Sequence, residues 1–187
     1  MAKTMTNPLS GDQTSGLWVL LLTVASTVTT LAFACATPFP ALAAIAAVYL
    51  RPRAAVPLMI AAWVVSQVIG FGFKGYPQDA DTLLTGCAIG GAAVASALAA
   101  LLAAKATTGR STPIRLAATY VAGFVAFKLA IALSVPLIGH ADAALSVEIM
   151  VRQFVRNAAI LVGLVALYRV LTAVGVPAAS ASRPVTA

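Results

Sequence analysis

The chain is predicted to be an all-α, polytopic integral membrane protein with six transmembrane helices and both termini in the cytoplasm. Three observations predict it. Of its 187 residues, 61% are hydrophobic and only 9% carry a charged side chain, too few to coat a soluble domain of this size. The apolar residues fall in runs of about twenty, the length that crosses a hydrocarbon core of roughly 30 Å. Lys and Arg gather in alternate connections between those runs, as they do in loops retained in the cytoplasm.

The elements follow in order. Residues 1–16, MAKTMTNPLSGDQTSG, are polar and small, and read as a mobile tail. The membrane domain covers 17–174, and its first span is 17–36. The AFA before Cys35 resembles a cleavage site or a lipobox, but Ala32 stands where a lipobox has leucine. The run is also long for a signal, so the span is read as retained. A second, shorter run at 39–50 is closed by the RPR of 51–53, and its length fits either a tilted crossing or a re-entrant helix. The third span is 54–73. In the fourth, 82–105, small residues recur at spacings of four, Ala88 with Ala92 and Gly91 with Ala95 and Ala99, a pattern for close helix packing within the molecule. The fifth span is 113–138 and the sixth 146–174. The final PAASASRPVTA belongs to a second mobile tail, 175–187. Proline and glycine punctuate the breaks.

The cations test the count independently. With the N-terminus inside, Lys3, Arg51, Arg53, Lys105, Arg110, Arg115, Arg169 and Arg183 are cytoplasmic, Lys74 is outside, and Asp79, Asp81, Asp142 and Glu148 fall on or beside the outer loops. The net charge of +7 therefore reports orientation in a lipid bilayer and does not call for a nucleic-acid partner.

Three cations remain inside spans: Lys128 in the fifth, and Arg152 and Arg156 in the sixth, the arginines flanked by Gln153 and Asn157. Burying a cation near mid-membrane costs roughly 3 kcal/mol or more, and apart from Glu148 at the outer boundary of the sixth no Asp or Glu lies within these spans to offset it. Gln67 of the third span is the other polar group at comparable depth. Two readings follow. In one, the arginines snorkel or bond carbonyls and serve helix packing in a non-transporting structural or assembly protein. In the other, they line a pocket open to the outside that takes an anionic or strongly polar solute, since guanidinium suits phosphate and carboxylate. The outer segment GFGFKGYPQDADT would complete that pocket with Tyr76 and Asp79, an aromatic ring beside a carboxylate.

The chain has two cysteines, Cys35 and Cys87, and one histidine, His140. One thiolate or one imidazole is too few for a closed zinc site but enough for an axial position on a metal already held by a macrocycle. HExxH, Walker and GxSxG motifs are absent, so the protein is read as no enzyme and as having no intrinsic cofactor.

In length, span count and expected orientation the chain resembles the S components of energy-coupling factor vitamin transporters, over roughly residues 17–174. Within that group SQVIGFGFKGYPQDADT and the cationic start of the sixth span look most like the cobalamin-specific BtuM type. The resemblance implies a vitamin uptake protein of the bacterial inner membrane, with cobalamin as substrate. It also implies an energising transmembrane and ATPase module as partner, although the alanine-rich docking face on the first span is imperfect and would suit a solitary component. Carried over, Tyr76 and Asp79 would face the corrin, and Arg152 or Arg156 the nucleotide phosphate. Cys87 would be the axial cobalt ligand, with His140, Cys35 or no residue as alternatives.

Overall fold

The computed structural model describes residues 11–32, 38–138 and 146–179. Cys35, His140 and Asp142 lie outside the described residues, and so does most of each tail. The described chain is helical throughout, without strands: α1 Gly11–Ala32, α2 Phe39–Tyr49, α3 Pro52–Gln67 with a π-helical extension Val68–Phe73, α4 Ala80–Ala106, α5 Thr112–Ile138 and α6 Val147–Ala173. These bounds match the expected spans closely, with one shift: helix begins at Gly11, inside the segment read as a tail.

Among the described residues, four stretches are long and apolar enough to cross a membrane: Pro52–Phe73, Ala80–Ala106, Thr112–Leu137 and Val147–Ala173. Two apolar helices are shorter, Gln13–Val28 and Phe39–Tyr49. The second of these, α2, has eleven residues, about 16 Å of helix at 1.5 Å per residue, half of a hydrocarbon core. Its residues from Phe39 to Val48 are all buried, and a helix that is apolar on every side belongs in a core. Accordingly α2 is the central rod, packed against α3, α4, α5 and α6. Pro38 and Pro40 suit its first turn, where N–H groups have no helical partner, and Pro52 opens α3 the same way three residues after α2 ends.

Small residues set the closest approaches. On α5, Gly123 faces α2 and α4: a Cβ there would lie 3.0 Å from the Ser96 hydroxyl and 3.6 Å from the Ala43 Cβ. Nearby, Phe39 stacks on Phe127 with ring centroids 5.9 Å apart. The buried face of α4 is Gly86, Ala93, Ala97, Ala100 and Ala104, joined by Ala92 and Ser96. The expected packing stripe is therefore only partly the real one. Ala92 is in the core, whereas Gly91 is exposed with nothing near the position of a Cβ. Since α4 carries small residues on every face, spacing by itself does not select the face that packs.

The connection after α3 depends on Gly75, whose φ of +66° is left-handed and lets the chain reverse without a Cβ clash. The Lys74 N–H bonds the Ile69 carbonyl and the Tyr76 N–H the Gly70 carbonyl, capping the π-helical turn. Asp79 then starts α4 by accepting from the Thr82 N–H at 2.8 Å. At the other end of the bundle, Tyr168 of α6 packs between Trp18 of α1 and Tyr49 of α2, each ring pair 4.4 Å between centroids. The Trp18 indole donates to the Pro177 carbonyl at 2.9 Å. The start of α1, the end of α2 and the segment after α6 thus meet at one end, and Pro177 through Ala179 are docked there, in what was read as a mobile tail.

Candidate functional site

The buried stripe of α6 is Asn157, Leu161, Leu164 and Tyr168, the three-and-four spacing of one helix face. Asn157 is the polar member of that stripe, only 8% exposed. Its amide nitrogen donates to the Gln153 carbonyl at 2.8 Å, a bond back along its own helix, and this leaves Oδ1 buried without a hydrogen-bond partner. An orphaned acceptor of this kind costs roughly 1–3 kcal/mol. Gln153 and Arg156 flank the stripe, both half-buried. Arg156 forms no hydrogen bond and no ion pair with the described residues.

Arg152 differs. It pairs with Glu148 one turn earlier at 2.6 Å, and the two side chains are 68% and 81% exposed. The expectation that it shares an interior pocket with Arg156 is corrected. Four residues separate them, but Arg152 projects outside the bundle, and Glu148, at the start of the helix, reaches it and offsets its charge.

Across from α6, α5 presents Tyr120, Phe124 and Lys128 at successive spacings of four. The Tyr120 hydroxyl donates to the Phe154 carbonyl, and the Phe154 ring packs on Tyr120 and Phe124 with centroids 5.0 and 5.1 Å apart. Lys128 is buried, with its ammonium 5.9 Å from the Phe124 ring centroid, within the range of attraction to an aromatic face. The contact of α5 with α6 is thus an aromatic wall with a buried ammonium one turn along α5, while the half-buried Arg156 guanidinium and the unpaired Asn157 oxygen lie on α6 within three residues of Phe154. Such groups can hold an anion or a polar organic molecule with both donors and acceptors. The aromatic part was missed from sequence, though the Tyr120, Phe124, Lys128 spacing carried the signal.

The remaining predicted residues make their observed contacts on α3, α4 and the connection between them. Gln67 is held in the seam between α3 and α4, its Nε2 on the Ser66 hydroxyl at 3.3 Å and its Oε1 against Gly86, 2.6 Å from where a Cβ would be. Trp63 lies beside it, donating to the Gly86 carbonyl at 2.8 Å and covering Gly90. Tyr76 lays its ring on Gly70 and meets Phe71 edge-on, 6.3 Å between centroids. Asp79 is exposed and used as the cap of α4; the Thr82 side chain, and then the Thr82 N–H, hold its carboxyl below the usual 3.8. Cys87 is exposed on α4. Among the described residues no three His, Cys, Asp or Glu gather as a metal site. No family model, no curated protein and no solved structure matches the chain.

Proposed function

We propose that the protein is a membrane uptake component that binds an anionic or strongly polar, vitamin-like solute on α6 at Arg156 and Asn157, with cobalamin as the substrate to test first. The observation that carries this reading is the pair Arg156 and Asn157: a guanidinium without a partner among the described residues beside a buried, unpaired amide oxygen. Adjacent donor and acceptor groups left unsatisfied in an apolar bundle are costly unless something occupies them. Gln153 would contribute from the same helix and Lys128 from α5. Tyr76, Asp79 and Gln67 would act as an outer rim. Cys87, exposed on α4, would be the axial cobalt ligand, with His140 the alternative. The proposal extends to six crossings with both termini inside, location in a bacterial inner membrane, no enzymatic reaction, and an energising ATPase module as partner.

One observation favours the other reading, a non-transporting protein whose arginines serve packing: Arg152 is already satisfied by Glu148. The two readings separate experimentally. Detergent-purified protein incubated with cobalamin should acquire the vitamin's visible absorbance and give heat on titration. Arg156→Gln should weaken binding by at least about tenfold, the size of one charge-assisted hydrogen bond. Arg152→Gln should leave it nearly unchanged. Colourless protein, no heat, and a loss of thermal stability as the sole effect of Arg156→Gln would establish the packing role instead.

A further inference from the structure

Between residues 82 and 141 the chain has no Asp or Glu, yet Lys105, Arg110 and Arg115 lie together at the turn joining α4 to α5. Lys105 and Arg110 are exposed and Arg115 half-buried. The Arg115 guanidinium makes no hydrogen bond or ion pair among the described residues, and its Nε–H is buried without an acceptor. The turn's hydroxyls donate back to helix carbonyls, Thr107 to Ala103 and Thr108 to Lys105, each at 2.7 Å. Arg51 and Arg53 at the α2–α3 turn and Arg169 near the end of α6 add charge to the same end of the bundle; Asp12, in the first turn of α1, is the acid on that side. Within one or two helical turns of these cations the surface becomes apolar, with Leu98, Leu102, Ile114 and Val121 exposed.

We infer that the Lys105–Arg115 turn is a docking site for acidic phospholipid. The phosphodiester would sit against Arg110 and Arg115, and the acyl chains would lie along Leu102 and Ile114. Charge complementarity selects an anion, and the adjoining exposed leucine and isoleucine select an amphiphile over a free phosphate or an acidic protein segment. Basic residues at a membrane surface attract anionic lipid by about fivefold in affinity apiece.

The test uses the full chain in nanodiscs of phosphatidylcholine with and without phosphatidylglycerol, released gently and weighed intact to count retained lipids. Phosphatidylglycerol should be retained over phosphatidylcholine, and Arg110→Gln and Arg115→Gln should each lower that preference about fivefold. Arg115→Lys should keep most of it. Arg110 is fully outside the core, so its variant should keep the wild-type thermal midpoint in pure phosphatidylcholine. Equal retention of the two lipids, or a preference indifferent to Arg110→Gln, would overturn the inference. So would displacement of phosphatidylglycerol by equimolar inorganic phosphate, which would show a free-anion site, or by polyglutamate, which would show a surface for acidic protein.

Discussion

Arg152 and Arg156 stand one turn apart on α6, about 40° apart around its axis, and meet different fates because a single upstream carboxylate reaches only the first. Spacing showed that the two could share a face; Glu148 at 2.6 Å and the exposure of that pair show that Arg152 looks outward. An exposed pair four residues apart contributes about 0.3–0.5 kcal/mol, so loss of Arg152 should cost little stability. Asp79 shows a comparable change of role. It was legible as a polar outer-loop residue, but its carboxylate is committed to starting α4 through Thr82. Because that bond lowers the carboxyl's folded pKa below its usual 3.8, the cap is complete above the unfolded value and is lost as pH falls through the lowered folded one. Thermal midpoints of the wild type should therefore drop on acidification below pH 3.8 more than those of Asp79→Asn, which keeps a neutral acceptor. Parallel curves for the two proteins would remove Asp79 from the account.

The element that sequence reading left open is α2. Its length was plain, and so was the choice between a tilted crossing and a helix that ends within the protein; burial from Phe39 to Val48 makes it the rod around which the longer helices gather. In the α3–α4 seam, Trp63 and Gln67 pack on glycines of α4, a lock-and-groove contact that the fourth span's uniform smallness concealed. At Gly90 a Cβ would meet Trp63 ring atoms at 2.8 and 2.9 Å, while at Gly91 it would meet nothing within 4 Å. Gly90→Ala should thus destabilise the protein by about 1–3 kcal/mol through overpacking, and Gly91→Ala should change stability by less than about 0.5 kcal/mol. Paired melting curves in one detergent decide it: equal shifts for the two neighbours would mean that the seam does not pack as described.

For the whole molecule, the two ends of the bundle differ in charge. Arg51, Arg53, Lys105, Arg110, Arg115 and Arg169 gather at the end where Trp18, Tyr49 and Tyr168 meet, and Asp79, Asp81 and Glu148 mark the other. Cytoplasmic loops accumulate Lys and Arg because positive segments resist translocation, so the cation-rich end is expected inside. In intact cells, a membrane-impermeant maleimide should label Asp81→Cys and spare Arg110→Cys until the membrane is opened, with Cys35 and Cys87 replaced by serine. Labelling in the reverse order would invert the orientation and place the polar groups of α6 on the other side.

What the linear chain determined was class and punctuation: apolar runs of helical length, prolines and glycines at the breaks, and an uneven distribution of charge. These are local properties, set by transfer of side chains into hydrocarbon and by backbone geometry, and helix bounds followed from them almost residue for residue. Tertiary structure decided which faces meet. Rotation of a helix about its axis is nearly invisible in a segment apolar all round, so only packing could turn Gly91 outward, seat Asn157 inward, and set Gln67 against Gly86 and Tyr76 against Gly70.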